Sequence, residues 1–142
     1  MKRGTKILLF CLTGGGVFMM LACGGLIYLG MKGLQEIPKV TASADGFMDL
    51  IKLDQVDQAY KLTTKEFQAK TNLEQFRSLI AKYPAFSKQT SRVMTGARIY
   101  STGQGVRGYL QYQVANPNNS LLVNLILKDE NGSWKVESLN LP

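Results

Sequence analysis

Two carboxylates three residues apart, Asp54 and Asp57, followed by the phenol of Tyr60, are the side chains whose spacing best suits acid–base chemistry. In a closed pocket such a pair could hold and pass a proton, with Tyr112 as a further hydroxyl. The same residues also fit a structural role. An aspartate at a helix start caps its first turn, and a second one inside that turn suits the positive end of the helix dipole. Little else in the chain supports catalysis. There is no histidine, which removes the commonest proton shuttle and metal ligand. Cys11 and Cys23 both lie in an apolar N-terminal run, so the C-terminal part has no thiol for a disulfide, a metal cluster or nucleophilic attack. No glycine-rich phosphate loop follows a strand, and no carboxylates have metal-ligand spacing. Neither a cofactor nor a metal is expected.

A second set of residues suits binding better than turnover. In the segment 105–115, Val106, Gly108, Leu110, Tyr112 and Val114 alternate with Arg107, Tyr109, Gln111 and Gln113. That period of two describes a strand with one buried and one wet face. Tyr109, Gln111, Gln113 and Arg107 then form a mixed aromatic and polar surface fit for a partner. Arg92, Arg98 and Arg107 could line one side of the same sheet and meet a carboxylate or a lipid head group; a solvated face is the plainer alternative. Asn118-Asn119-Ser120 and Asn131-Gly132-Ser133 match the glycosylation sequon, although both read as turns.

The formal charge of +7 is unevenly spread. Residues 1–39 carry five basic and one acidic residue, a net +4, and residues 40–142 carry twelve and nine, a net +3. So mild and scattered an excess gives no footprint for nucleic acid.

The elements that must position these side chains begin with a membrane segment. Residues 7–30 contain no charged residue and follow a basic leader at 1–6; about 20 apolar residues suffice to cross the hydrocarbon layer as a helix. Lys2, Arg3 and Lys6 precede this span, while Lys32 and Lys39 beyond it are offset by Glu36. The bias favours a cytoplasmic N-terminus and a single pass of the cell inner or cytoplasmic membrane, with the C-terminal domain periplasmic or extracellular. An alternative is lipoprotein processing at Cys23, preceded by the small Ala22; the bulky Leu21 and the apolar continuation to Leu29 fit it less well.

Gly30, Gly33 and Pro38 mark a linker over 31–39, and the remaining 40–142 suits one small domain. Val40, Ala44, Phe47, Met48 and Ile51 have the spacing of an amphipathic helix. Asp54 is expected to cap a second, short helix with Val56, Ala59, Tyr60 and Leu62 inward. A turn around Phe67 follows. Thr71 and Glu74 make a capping box ahead of Leu73, Phe76, Leu79 and Ile80, and Pro84 closes that helix. Four strands follow, near 92–100, 105–115, 121–128 and 134–141, the last two joined by an Asn131-Gly132 turn. The expected fold is α+β: two to three helices packed on a four-stranded antiparallel sheet, with Phe47, Phe67, Phe76 and Trp134 in the core.

The succession Ala44, Phe47, Leu50, Asp54 to Tyr60, Leu62, Thr64 and Phe67, with four strands ending in Glu130-Asn131-Gly132-Ser133-Trp134-Lys135-Val136, resembles nuclear-transport-factor-2-like domains. In layout the chain is similar to small uncharacterised bacterial proteins that join one N-terminal anchor to one such domain. The resemblance implies a bent sheet wrapped around a helix as a cone, which different members use as an enzyme pocket, a ligand pocket or a contact surface. Function therefore does not follow from the fold. The expectation by elimination is a non-catalytic, membrane-tethered binding or scaffold module acting outside the cytoplasm, with a protein partner or self-association. The alternatives are a small-molecule pocket protein or enzyme using the cone interior, and a component similar to the inner-membrane scaffold subunits of secretion complexes.

Overall fold

The computed structural model describes residues 35–142. The leader at 1–6, the apolar run at 7–30, the alternative lipidation residue Cys23 and the first part of the linker lie outside the described residues. Among the described residues no helix is long and apolar enough to cross a membrane.

Helix α1 covers residues 35–52 and so includes the end of the segment expected as linker. Val40, Ala44, Phe47, Met48 and Ile51 form its buried stripe. The helix ends in a Schellman arrangement: the Gln55 N–H donates to the Leu50 carbonyl at 2.8 Å and the Asp54 N–H to the Ile51 carbonyl at 3.1 Å. Asp54 occupies the left-handed position this requires, with φ of 60°. It therefore ends α1 rather than capping α2 (Val56–Lys61), whose N-cap is Gln55 without a side-chain bond. Aspartate tolerates that conformation better than most residues because its short polar side chain can bond locally.

Three more short helices follow, giving five helical segments among the described residues in place of two or three. Thr64 starts α3 (Lys65–Lys70) by accepting from the Phe67 N–H. The capping box of α4 (Leu73–Ala81) is built by Asn72 and Gln75, one residue later than the sequence pattern suggests. Thr71 instead ends α3, where it is the C-cap residue and its N–H donates to the Phe67 carbonyl. Pro84, expected to end α4, opens the single turn α5 (Pro84–Ser87) at a position where a missing N–H costs nothing.

The strands β1 (Ser91–Thr102), β2 (Gly105–Ala115), β3 (Ser120–Glu130) and β4 (Ser133–Asn140) form an antiparallel meander in the order β1-β2-β3-β4. Asn131 and Gly132, at φ of 56° and 85°, supply the paired positive angles that a two-residue hairpin turn needs. One bulge lies between Met94 and Gly96, another between Ile126 and Leu127.

The helices cover one face of the sheet. Leu110, Tyr112, Val114, Val123, Leu125, Leu127 and Val136 are buried against Phe47, Met48, Phe67 and Phe76, and Trp134 closes the cluster at 7 % exposure. Phe76 is its aromatic centre, with ring centroids 5.6 Å from Tyr60, 5.8 Å from Phe67 and 6.2 Å from Phe47. Helix α1 approaches β2 closely enough that a Cβ on Gly108 would sit 2.5 Å from Val40 Cγ2. Only a residue without a side chain permits this contact. Gly108→Ala should cost about 1 to 3 kcal/mol by overpacking. In the Val40→Ala background the same change should cost clearly less, read from denaturant unfolding as a double-mutant cycle. Simple additivity would mean that α1 is not seated on Gly108.

Candidate functional site

The face of the sheet turned away from α1 carries the polar surface. Because paired residues share a face, the register assigns it directly: Tyr100, Arg107, Lys128 and Lys135 form one row across the four strands, and Arg98, Tyr109, Ile126 and Ser138 the next. Gln111 and Asn124 follow, then Val93, Gln113 and Leu122. Four side chains here are linked by hydrogen bonds. The Tyr109 hydroxyl donates to Asn124 Oδ1 at 2.9 Å, Gln111 Nε2 donates to the same oxygen at 3.0 Å, and Thr95 Oγ1 donates to Gln111 Oε1 at 3.2 Å. Val93 and Leu122 stand beside them at 61 % and 43 % exposure.

Arg107 belongs to this face by register but is buried. Its guanidinium makes a two-pronged pair with Glu137, Nε to Oε2 and Nη2 to Oε1 both at 2.8 Å, and Nη1 donates to Thr102 Oγ1 at 2.6 Å. The β4 bulge makes this possible. Leu127 faces Val136 and Ile126 faces Ser138, so Glu137 is the inserted residue, re-aimed toward a strand two away. The arginine holds the Glu137 carboxyl below its ordinary range, while the carboxylate pushes the guanidinium further up. Arg107 is thus committed inside the protein, unlike Tyr109, Gln111 and the exposed Gln113.

Arg92 does not join Arg98 and Arg107. The β1 bulge shifts the alternation, placing Arg92 opposite the inward Val114. There it bonds Asp49 Oδ1 at 2.9 Å and lies 3.5 Å from Asp45. Asp45 also accepts from the Tyr112 hydroxyl at 3.2 Å, and burial, with that carboxylate, raises the phenol well above its usual value. Tyr112 is therefore occupied at the joint between α1 and the sheet.

The acid–base candidates are separated as well. Asp54 and Asp57 share a surface groove of about 850 Å³ formed by the end of α1, α2, α4 and α5, together with Lys52, Arg77, Pro84 and Lys88. Within it Asp57 is clamped by Arg77, at 2.6 and 2.9 Å, which lowers its pKa. Tyr60 is not there. Its hydroxyl donates to the Thr71 carbonyl at 2.8 Å, and neither Tyr60 nor Tyr112 lines this groove. No group of three or more His, Cys, Asp or Glu residues among the described residues could hold a metal. Glu137, Asn124 and Asp45 are hydrogen-bond partners of the candidate residues that sequence alone did not single out, because each bonds a residue fifteen or more positions away.

A carboxyl held below its unfolded value stabilises the fold above that value and loses the contribution as pH falls through the lowered one. Thermal unfolding followed from neutral pH downward should therefore show wild type losing stability more steeply than Glu137→Gln, which starts lower. Parallel curves would mean that the pair does not form.

A family model described as a domain of unknown function, DUF4864, matches residues 35–142, from the first described residue of α1 to the end of the chain. No curated protein matches the chain. With the match covering well over half of the sequence, the chain belongs to the DUF4864 family.

Proposed function

We propose that this protein is a membrane-tethered binding or scaffold module that engages a protein partner through the outer face of its sheet. The observation that carries this reading is the contrast between the two faces. On the helix side the space between α1 and the sheet is filled by apolar side chains, and the Tyr112 hydroxyl is taken by Asp45. On the other side Tyr109, Gln111 and Asn124 are held in place by mutual hydrogen bonds next to exposed Val93 and Leu122. Tyrosine supplies large contact area at low entropic cost, and polar neighbours already fixed by one another lose little freedom on docking.

The tether is the uncharged run 7–30 behind its basic leader, with the domain outside the cytoplasm. Helices followed by a four-stranded meander whose last strand brings Trp134 into the core support a nuclear-transport-factor-2-like architecture. The groove holding Asp54 and Asp57 favours a small-molecule site as the second reading.

Tyr109→Glu together with Gln111→Glu should weaken co-purification of a partner from solubilised membranes by roughly thirtyfold, the effect of losing a contact worth about 2 kcal/mol. The melting temperature should change little. If these variants bind normally while Asp57→Asn abolishes a ligand or an activity at unchanged stability, the groove is the functional site. A reporter active only outside the cytoplasm, fused after Pro142, should be active; activity of a cytoplasm-only reporter there would overturn the topology.

A further inference from the structure

The two edges of the sheet differ. At β4 the edge is covered by the chain itself: the Thr64 N–H donates to the Val136 carbonyl, and the Val136 N–H donates to the Leu62 carbonyl, both at 2.9 Å. At β1 no described residue pairs with the outer edge. In an antiparallel pair every second residue of an edge strand turns its N–H and C=O away from its neighbour, which leaves a template for another strand. The bulge at Thr95 divides this edge and leaves residues 96–102 as an uninterrupted stretch. Beside it, on the helix side, Met94 is 43 % exposed and Ala97 is exposed.

Charge narrows what could dock there. Between Glu74 and Asp129 the sequence has no Asp or Glu, yet β1 and β2 carry Arg92, Arg98 and Arg107. Carboxylates from other elements neutralise two of these, Arg92 through Asp45 and Asp49 and Arg107 through Glu137. Arg98 has no carboxylate partner among the described residues. Its guanidinium lies 5.7 Å from the Tyr100 ring centroid and 5.5 Å from that of Tyr109. Two aromatic faces orient a cation without cancelling its charge, so Arg98 is a preorganised anion receptor at the open edge.

We propose that the β1 edge over 96–102 receives an extended acidic segment of a partner protein as a fifth strand, with a carboxylate of that segment paired to Arg98. Alternate apolar side chains of the incoming strand cover Ala97 and the edge of Ile99. Backbone bonds supply affinity and the Arg98 pair supplies register, as in other strand additions. A second copy of β1 fits poorly, because it brings another Arg98 and no acid. The inference rests on the protein-binding reading above and gives the partner its chemistry.

The test pans the full chain, in detergent micelles, against phage-displayed random dodecapeptides, then titrates enriched peptides into wild type, Arg98→Glu and Arg98→Lys. The expected peptides alternate acidic and apolar residues. Arg98→Glu should weaken them by about tenfold or more, with a far smaller loss in Arg98→Lys, and binding should slow amide exchange within 96–102. Failure to enrich acidic peptides, equal binding by Arg98→Glu, or protection lying off β1 would overturn the proposal. So would a concentration-dependent dimer of the chain whose exchange protection lies on β1. A partner that depends on Tyr109 and Gln111, yet binds Arg98→Glu normally with β1 amides unprotected, would defeat this inference and leave the outer-face reading standing.

Discussion

A helix can lie on a sheet only as closely as the side chains between them allow, and at Gly108 there is none. Val40 occupies the place where a Cβ would stand. This close approach sets the depth of the space under the sheet, and the side chains of α1, Phe76 and the inward faces of β2 and β3 fill it. Further along the same helix, Asp45 ties α1 to both Tyr112 and Arg92. Seated at these points, the helix covers one face of the sheet and leaves the other face and the β1 edge uncovered by the described helices.

The bulges then decide which side chains reach those surfaces. The Thr95 bulge turns Arg92 inward while leaving Arg98 outward. In β4 the bulge releases Glu137 from the alternation and sends it over β3 to Arg107. A buried guanidinium without that carboxylate would be an uncompensated charge, so one inserted residue stabilises another strand's arginine and keeps it from the surface. What remains on the outer face is the exposed Arg98 beside two tyrosine rings, a half-buried tyrosine–glutamine–asparagine cluster, and the exposed Gln113, Val93 and Leu122. Arginine and tyrosine are the residue types that dominate binding energy at protein interfaces.

The parts legible in the sequence were those governed by local period and local chemistry. Alternation over 105–115 separated inside from outside on β2, and Asn131-Gly132 placed its hairpin, because both depend on a few adjacent residues. The apolar spacing of α1 likewise identified its buried stripe. Helix boundaries were less legible: Asp54, Thr71 and Pro84 all belong to helix ends, but whether each closes one helix or starts the next depends on backbone bonds such as Gln55 to Leu50 and Thr71 to Phe67. Face assignments failed at Arg92, because a single bulged residue inverts everything on one side of it. The burial of Arg107 was hidden because its partner is thirty residues away.

The central claim is that partners meet the outer face and edge of the sheet while the helix side serves as core. Methyl-resolved spectroscopy of a partner complex tests it most directly, since β3 alternates between the two sides. The account predicts that the methyl signals of Leu122 and Ile126, and of Val93 on β1, shift on binding, while those of Val123, Leu125 and Leu127 stay fixed. Shifts confined to Val123, Leu125 and Leu127 would contradict it and return the function to the interior of the fold.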